Sequence, residues 1–460
     1  MRKRRLPIAL GLIASLIASL NTAMAAPQTT PAWPAADHEY TLPELVDLAL
    51  QENPGTRMAR AGTRNAALGQ DVAEASYLPR LSATLAAGRQ SFTNSQQAAG
   101  LDVHGGGSVT GTLSALSLHW LLYDFGQRDA VVASSQALST AAQWGETGER
   151  LAITHEVCLA FYAFQAAQER LRTAQQALDN AQEIQQAAQA RRQGGVGTVL
   201  EVAQAQQATA QARLARVRAQ GAVQDAEAAL TNAVGLPPAH GPRIASLPPQ
   251  PLGPDTLPTV DALIDEALSR RADVAAAHAT LQASQHAVEA AEADYRPKVF
   301  LSATGAYASG DLGVSAIPGI GQQLPTLNVQ GQRWSSTVLL GLSIPLYDGQ
   351  VRDNALQQAR NNADRAEAGW QRSRLEAARQ VVTARNALAT SLAACDAAQT
   401  LLSTSQTFYD ASLDAYRHGV GSLTATVAAQ TQLAEARLAV AEAYYGARSA
   451  AANLAFATGQ

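Results

Sequence analysis

Side chains able to do chemistry are few and scattered. The histidines are His38, His104, His119, His155, His240, His278, His286 and His418, and none falls at the i, i+4 spacing that sets two imidazoles on one helical face for a metal. His155-Glu156 lacks the second histidine of a zinc-protease helix. Gly105, Gly106 and Gly107 stand together without the strand and helix that turn glycines into a phosphate cradle. Neither a P-loop lysine motif nor a Gly-x-Ser-x-Gly nucleophile turn occurs. Cys158 and Cys395 are the two cysteines, too few for a thiolate metal site or a disulfide scaffold, and they read as small buried hydrophobes. The expectation is a chain with no catalytic residue, no cofactor and no metal. The other residues of interest are two glycine turns, Gly195-Val196-Gly197-Thr198 and Gly419-Val420-Gly421-Ser422, in which glycine admits positive φ and keeps a helix-to-helix corner small.

The chain that carries these turns has 460 residues, 47% hydrophobic, 16% charged and 5% aromatic. That is more than one small domain and too apolar for a disordered segment. A net charge of -4 and an isoelectric point near 6.1 exclude the basic surface of a nucleic-acid binder. Residues 1–25 read as a secretory signal peptide: Arg2, Lys3, Arg4 and Arg5, an apolar stretch from Leu6 to Leu20, then Ala23-Met24-Ala25 as the cleavage site. The apolar stretch is shorter than the roughly 20 residues of a spanning helix, and no later run of about 18 apolar residues follows. Loss of the four positive charges takes the net charge from -4 to -8. An acidic exported protein is expected.

Internal similarity organises the rest. LPELVDLAL from Leu42 is echoed by VDALIDEAL from Val260, and YLP at Tyr77 returns as YRP at Tyr295, both 218 residues on. LLYDFGQRD from Leu121 is matched by PLYDGQVRD from Pro345, and GVGT at Gly195 by GVGS at Gly419, with Tyr123 and Tyr347, like the turns, 224 residues apart. A first repeat over 26–234 and a second over 259–460 follow. Between them, 235–258 holds 8 of the 19 prolines, which no continuous helix or central strand tolerates.

Within each repeat, Ala/Gln/Glu/Arg-rich runs with high helix propensity alternate with a pair of β-like segments. A long helix over 124–193, with Asp124 as N-cap and Gln127 completing a capping box, has its counterpart over 348–418. Each is a rod of roughly 105 Å. Shorter helices over 198–233 and 422–458 follow the turns. Leu388, Leu392, Cys395, Gln399, Leu402, Gln406, Tyr409, Leu413, Tyr416 and Val420 step by four and three as in a coiled-coil seam. Many positions are alanine or glutamine, so the rods need neighbours.

The β-like pairs are 81–90 with 109–122 and 299–309 with 335–346. Val338, Leu340, Leu342, Ile344 and Leu346 alternate with small or polar residues, Leu339 excepted, and Leu81, Ala83, Leu85 and Ala87 do the same. Each run has the length of a tilted membrane strand, with Trp120, Tyr123, Phe300, Tyr307, Trp334 and Tyr347 near strand ends as interface aromatics. Long Gly/Ser/Gln-rich loops over 91–108 and 310–333 close the two hairpins. Four strands cannot close a membrane barrel, whose smallest form has about eight. Two copies supply eight strands and three supply twelve; arithmetic alone does not choose.

This ordered set of features resembles the TolC-type outer-membrane efflux duct family over essentially the whole mature chain. It comprises the duplicated helix, strand, strand, long helix, turn, helix plan, the junctions LYDFG and LYDG, and the turns GGVGT and HGVGS. The resemblance implies an α+β membrane protein in which a long antiparallel α-helical coiled-coil barrel continues a transmembrane β-barrel, built as a homotrimer with four strands per chain. It also implies a passive duct that takes its energy from an inner-membrane pump or ABC transporter, through a periplasmic adaptor that meets the two glycine turns. Related ducts place acidic and constricting residues beyond these turns. Glu201 matches one such position and Gln204 follows it one turn later; Val427 and Gln430 stand where acids are expected, and Leu423 where a base is. Candidate constriction residues are Glu201, Gln204, His418 and Gln430, with Asp414 and Arg417 nearby, and a His418–Glu201 contact would make the mouth pH-sensitive. Efflux of small toxic compounds leads; type I secretion of a protein through the same duct is the runner-up, and a soluble periplasmic coiled-coil protein is the reading from another class.

Overall fold

The computed structural model describes residues 38–98, 101–237, 242–245, 258–310 and 334–460. The signal-peptide reading, most of the proline-rich linker and the second hairpin loop lie outside the described residues. The first half runs β1 (Glu39–Tyr40), α1 (Leu42–Glu52), α2 (Pro54–Glu74), β2 (Arg80–Ala98), β3 (Leu101–Tyr123), α3 (Gln127–Gln193) and α4 (Val199–Val234). The second runs β4 (Arg243–Ile244), α5 (Val260–Arg270), α6 (Ala272–Ala293), β5 (Lys298–Gly310), β6 (Trp334–Ser343), α7 (Val351–Arg417) and α8 (Leu423–Thr458). The two long helices have 67 residues each and the two that follow the turns have 36 each. At 1.5 Å per residue, 67 residues make a rod of about 100 Å.

Local chemistry fixes where the shorter helices break. Asn53 ends α1 and caps α2, whose first residue is Pro54, by accepting from the Gly55 N–H at 2.8 Å. Its amide also donates to the Ala233 carbonyl at 2.9 Å, fastening the break to the end of α4. Arg271 stands at the corresponding break between α5 and α6 and donates to the Ala457 carbonyl at 3.2 Å. A cluster of Leu45, Ala49, Val157, Phe161, Leu230 and Val234 then fills the space between α1, α3 and α4. Such clusters carry the apolar burial that the alanine-rich rods lack elsewhere.

The long helices begin later than the capping motif suggests. Gly126, not Asp124, is the N-cap of α3, and Phe125 and Gly126 both have positive φ, 55° and 99°. Gly349 and Gln350 repeat this at 68° and 73° ahead of α7. Two successive left-handed residues turn the strand direction into the helix axis, so the aspartate is left outside the helix and does a different job, described below.

Strands β2, β3, β5 and β6 form one antiparallel sheet in that order. The first hairpin is longer than alternation suggests: β2 pairs with β3 from Arg80↔His119 through to Ala98↔Leu101, so the expected loop over 91–108 is mostly ladder. Apolar alternation stops near residue 90, but backbone hydrogen bonding does not need it. The opposite error occurs in the second hairpin, where β6 ends at Ser343 and leaves Ile344, Leu346 and Tyr347 as exposed coil. Pro345 has no N–H for a ladder. The helical seam is also patchier than its spacing implies: Leu388, Tyr409, Leu413 and Tyr416 are buried, but Ala398 rather than Gln399 faces inward and Val420 is exposed.

On the Phe300 face of the sheet, one glycine allows close packing. A Cβ on Gly341 would lie 2.3 Å from the Phe300 ring across the ladder. Gly341→Ala is expected to destabilise the folded protein by about 1–3 kcal/mol through overpacking, read as a lowered thermal midpoint in detergent, with Phe300→Leu in the same chain recovering part of the loss.

Candidate functional site

The two glycine turns are built alike. Gly195 and Gly419 adopt φ of 78° and 81°, and the amides of Val196 and Gly197 fold back onto the Arg191 carbonyl, at 3.0 Å each, as those of Val420 and Gly421 do onto Ala415 at 3.0 and 2.9 Å. Gly197 has no room for a side chain, since a Cβ would sit 2.7 Å from the Arg192 nitrogen. The next helices start on hydroxyl caps: Thr198 Oγ1 accepts from the Glu201 N–H at 3.2 Å, and Ser422 Oγ accepts from the Ala425 N–H at 3.2 Å. These contacts leave Val196 at 69% and Val420 at 84% exposure. Val199 and Leu200 stand exposed beside them, two apolar tip residues that periodicity hid among helix positions.

The two turns are tied together. Arg191, in the last turn of α3, donates to the Tyr416 carbonyl at 3.1 Å and lies over the Tyr416 ring at 5.1 Å. Arg417 pairs with Glu183. Beneath them Ile184, Ala188, Val202, Tyr409, Leu413 and Tyr416 join both hairpins in one apolar cluster. The Tyr409 and Tyr416 hydroxyls are buried with no hydrogen-bond partner among the described residues.

The candidate constriction residues separate into three groups. Gln430 is only 6% exposed, and its amide donates to the Ala177 carbonyl at 2.8 Å; it ties α8 to α3 and does not line an opening. Glu201 accepts from the Thr198 N–H at 3.0 Å, completing a capping box on its own helix. His418 turns to Asp414, 2.9 Å from its carbonyl and 3.3 Å from its carboxylate, so within one chain it does not meet Glu201. Gln204, Asp414, Arg417 and His418 are exposed.

At the other end of the rods lies a cluster that motif reading saw only as evidence of repetition. Asp124 Oδ2 accepts from both the backbone N–H and the Nε of Arg128, each at 3.0 Å. Arg128 also donates to the Leu121 carbonyl at 2.7 Å and the Ser76 carbonyl at 3.1 Å, and lies over the Tyr77 ring, whose hydroxyl donates to Asp129. Asp348, Arg352, Tyr295 and Asp353 repeat the aspartate–arginine, arginine–tyrosine and tyrosine–aspartate contacts. The tyrosine of YLP or YRP and the aspartates of LYDFGQRD or LYDGQVRD are thus one joint between sheet and rod.

The register sorts the sheet's residues by face. Leu85, Leu116, Val338, Leu340, Leu342 and Trp334 share one face, exposed to 70% at Leu85, 75% at Val338 and 67% at Leu340. Tyr307 and Trp120 lie on it too, the Trp120 Nε1–H donating to the Tyr77 carbonyl at 2.9 Å, and the β-bulge after Leu121 returns Tyr123 to it. Phe300 does not lie on the face of these aromatics: it pairs with Gly341 on the other face, with Ser302, Thr304 and Ala306. Tyr347 is exposed beyond the end of β6. No helix among the described residues is long and apolar enough to cross a membrane, and no metal-holding cluster occurs among them.

A family model described as "Outer membrane efflux protein" matches residues 45–236 and 263–460. The chain is 32% identical over 416 residues to the protein CyaE of Bordetella pertussis, covering 88% of this chain and 82% of that protein. It is 30% identical over 265 residues to the pyoverdine export outer membrane protein OpmQ of Pseudomonas aeruginosa, covering 57% and 55% of the two. Among solved structures, the outer membrane protein VceC from Vibrio cholerae superposes with a TM-score of 0.73 at 20% identity, over 91% of this chain and 96% of that one. The outer-membrane channel OprN gives 0.73 at 23% identity, over 95% of each.

Burial, and then the nearby Glu183 carboxylate, push the Tyr409 phenol up to about 12 from an ordinary 10.0. The folded state therefore keeps the proton while the unfolded chain loses it. This contribution to stability is full below pH 10 and is lost as pH rises towards 12. Tyr409→Phe is expected to make the fall in thermal midpoint between pH 9 and 11 shallower. It should cost nothing at pH 7, because the hydroxyl it removes has no partner.

Proposed function

The chain belongs to the outer membrane efflux protein family, and from that premise we propose that three copies close one continuous duct, a twelve-stranded barrel in the outer membrane leading into a helical barrel in the periplasm. The protein is an outer-membrane exit duct for exported molecules, and the fold is that of the outer-membrane channels. The observation that carries the proposed assembly is the open four-stranded sheet with one apolar face. Eight strands from two copies would make an interior that side chains just fill. The inner face bears mainly small residues such as Ser82, Thr84, Ser302, Thr304 and Ala306, which suit a wider, water-filled lumen of twelve.

Transport through such a duct needs no chemistry from the wall. The driving energy belongs to an inner-membrane pump or ABC transporter, reached through a periplasmic adaptor. The residues offered to that adaptor are Gly195, Val196, Gly197 and Thr198 with Gly419, Val420, Gly421 and Ser422, whose exposed valines project at the tips. Glu201, Gln204, Asp414, Arg417 and His418 ring the same end and are the polar groups that would narrow it. The cargo is taken to be small molecules, in keeping with relatives named for pyoverdine export and fusaric acid resistance.

Two measurements test this. Deletion of the gene is expected to raise susceptibility to a panel of toxic small molecules and leave the profile of secreted proteins unchanged; the reverse pattern would transfer the duct to protein secretion. In a chain with Cys158→Ala and Cys395→Ala, Val196→Cys or Val420→Cys is expected to cross-link to a periplasmic adaptor. Capture of no adaptor from either turn would contradict the docking assignment.

A further inference from the structure

The register that gathers the leucine and valine stripe on one face of the sheet also fixes what stands on the other. Over residues 80–89, 110–123, 298–309 and 334–343, the face that holds Ser82 and Ser302 carries three ionisable side chains, Arg80, His119 and Lys298, and no aspartate or glutamate. All three stand at the end nearest the rods. Arg80 and His119 are directly paired across β2 and β3, which brings their Cβ atoms to about 5 Å. On its other side His119 is paired with Ser302. The next rung, Ser82 with Ser117, is small and hydroxylated, so there is room above the two bases.

The two repeats treat this rung differently. Lys298 donates to the Asp294 carboxylate at 2.7 Å, and Asp294 also accepts from the Gln127 amide. The displacement of 218 residues that relates YLP to YRP sets Arg80 against Lys298 and Ser76 against Asp294. The first repeat therefore keeps the base and lacks its acid. Arg80 is exposed and forms no ion pair among the described residues. The acids at this end have partners of their own: Asp124 holds Arg128, Asp348 holds Arg352, and Asp129 and Asp353 accept from Tyr77 and Tyr295. Arg296, which donates to the Phe125 carbonyl, adds a further positive charge.

We propose that Arg80 and His119 form an anion-binding rung on the wall of the duct, and that the cargo it favours carries carboxylate, phosphate or sulfonate groups; this rests on the reading above that this face lines the lumen. A guanidinium offers two parallel N–H donors in the geometry that a carboxylate or phosphate accepts. His119 supplies a ring N–H beside it, and the Ser82 and Ser117 hydroxyls face the same space one rung away. Lys298, already neutralised by Asp294, contributes less. Charges of one sign on a low-dielectric wall raise the local concentration of the opposite ion. With three copies the rung recurs three times at one level, where the β-barrel opens into the helical barrel, and an anionic molecule meets it on the way out.

The test places Ser82→Cys in the Cys158→Ala/Cys395→Ala chain and measures its reaction rates, in reconstituted protein, with three methanethiosulfonates: negative sulfonatoethyl, positive trimethylammonioethyl and neutral methyl. The ratio of negative to positive rates, divided by that for free 2-mercaptoethanol, is expected to be about three- to tenfold above one, the effect of one unpaired cation a rung away. Adding Arg80→Gln should bring the ratio close to one, Arg80→Lys should retain it, and Arg89→Gln, on the opposite face, should leave it unchanged. Benzene-1,3,5-tricarboxylate is expected to slow the neutral reagent in the parent and not in the Arg80→Gln chain. A ratio near one in the parent, a ratio indifferent to Arg80→Gln, or no protection by the tricarboxylate would overturn the anion rung and leave the duct. Failure of the neutral reagent to react at all would put this face away from water and overturn both. Because Arg80→Gln could disturb assembly, the Arg80→Lys chain keeps the charge reading independent of it: a ratio near one there would also overturn the proposal.

Discussion

A four-stranded sheet with an apolar outer face and two open edges is stable in neither water nor lipid by itself. In water the leucine and valine stripe of β2, β3 and β6 would remain uncovered, an area large enough to drive association. In lipid the stripe is satisfied, but unpaired N–H and C=O groups at each edge cost several kcal/mol apiece. Closure with other copies, the assembly proposed above, answers both demands. The helices obey the same logic more gently, since rods faced with alanine and glutamine bury little per contact and become stable by having neighbours on every side.

Joining a sheet to rods of about 100 Å requires a sharp, rigid corner, and the chain makes it the same way twice. Two left-handed residues swing the backbone, an aspartate outside the helix holds an arginine four residues on, and that arginine lies over a tyrosine that precedes the sheet; in the first repeat it also gathers the last carbonyls of the strand. A buried pair of this kind is weak evidence for stability on its own. Here its hydrogen bonds also fix direction, so that a strand leaving the membrane enters its rod at one angle. At the far end the glycine turns do the opposite job, keeping the corner small enough for valines to project, while Arg191 and Arg417 hold the two turns of a chain together.

Much of this plan is legible in the residues. Repetition of YLP and YRP, of the LYD junctions and of the GVG turns gives the element order, and alternation in Val338–Leu342 identifies the outer face. The misses have physical causes. Asp124 looks like an N-cap because aspartate before a helical run usually is one, but the left-handed pair that displaces it leaves only a glycine as a trace. The extended ladder beyond residue 90 carries no apolar alternation and reads as loop. Gln430 looks polar enough to line an opening, yet its neighbours Ala429 and Leu433 are buried, and a glutamine between buried positions is better read as a tie to a neighbouring carbonyl. Phe300 sits at a strand end like its aromatic companions; only the register, one residue out of phase, puts it inside.

The account as a whole depends on which face of the sheet meets lipid. Single cysteines at Val338 and Thr337, adjacent on β6 and on opposite faces, can carry a small fluorophore in protein reconstituted into vesicles whose acyl chains bear a nitroxide quencher. The fluorophore at Val338 is expected to be quenched strongly and that at Thr337 to report water. Equal quenching at the two positions, or quenching at Thr337 alone, would contradict the claim that the leucine and valine stripe is the membrane-facing wall of a duct.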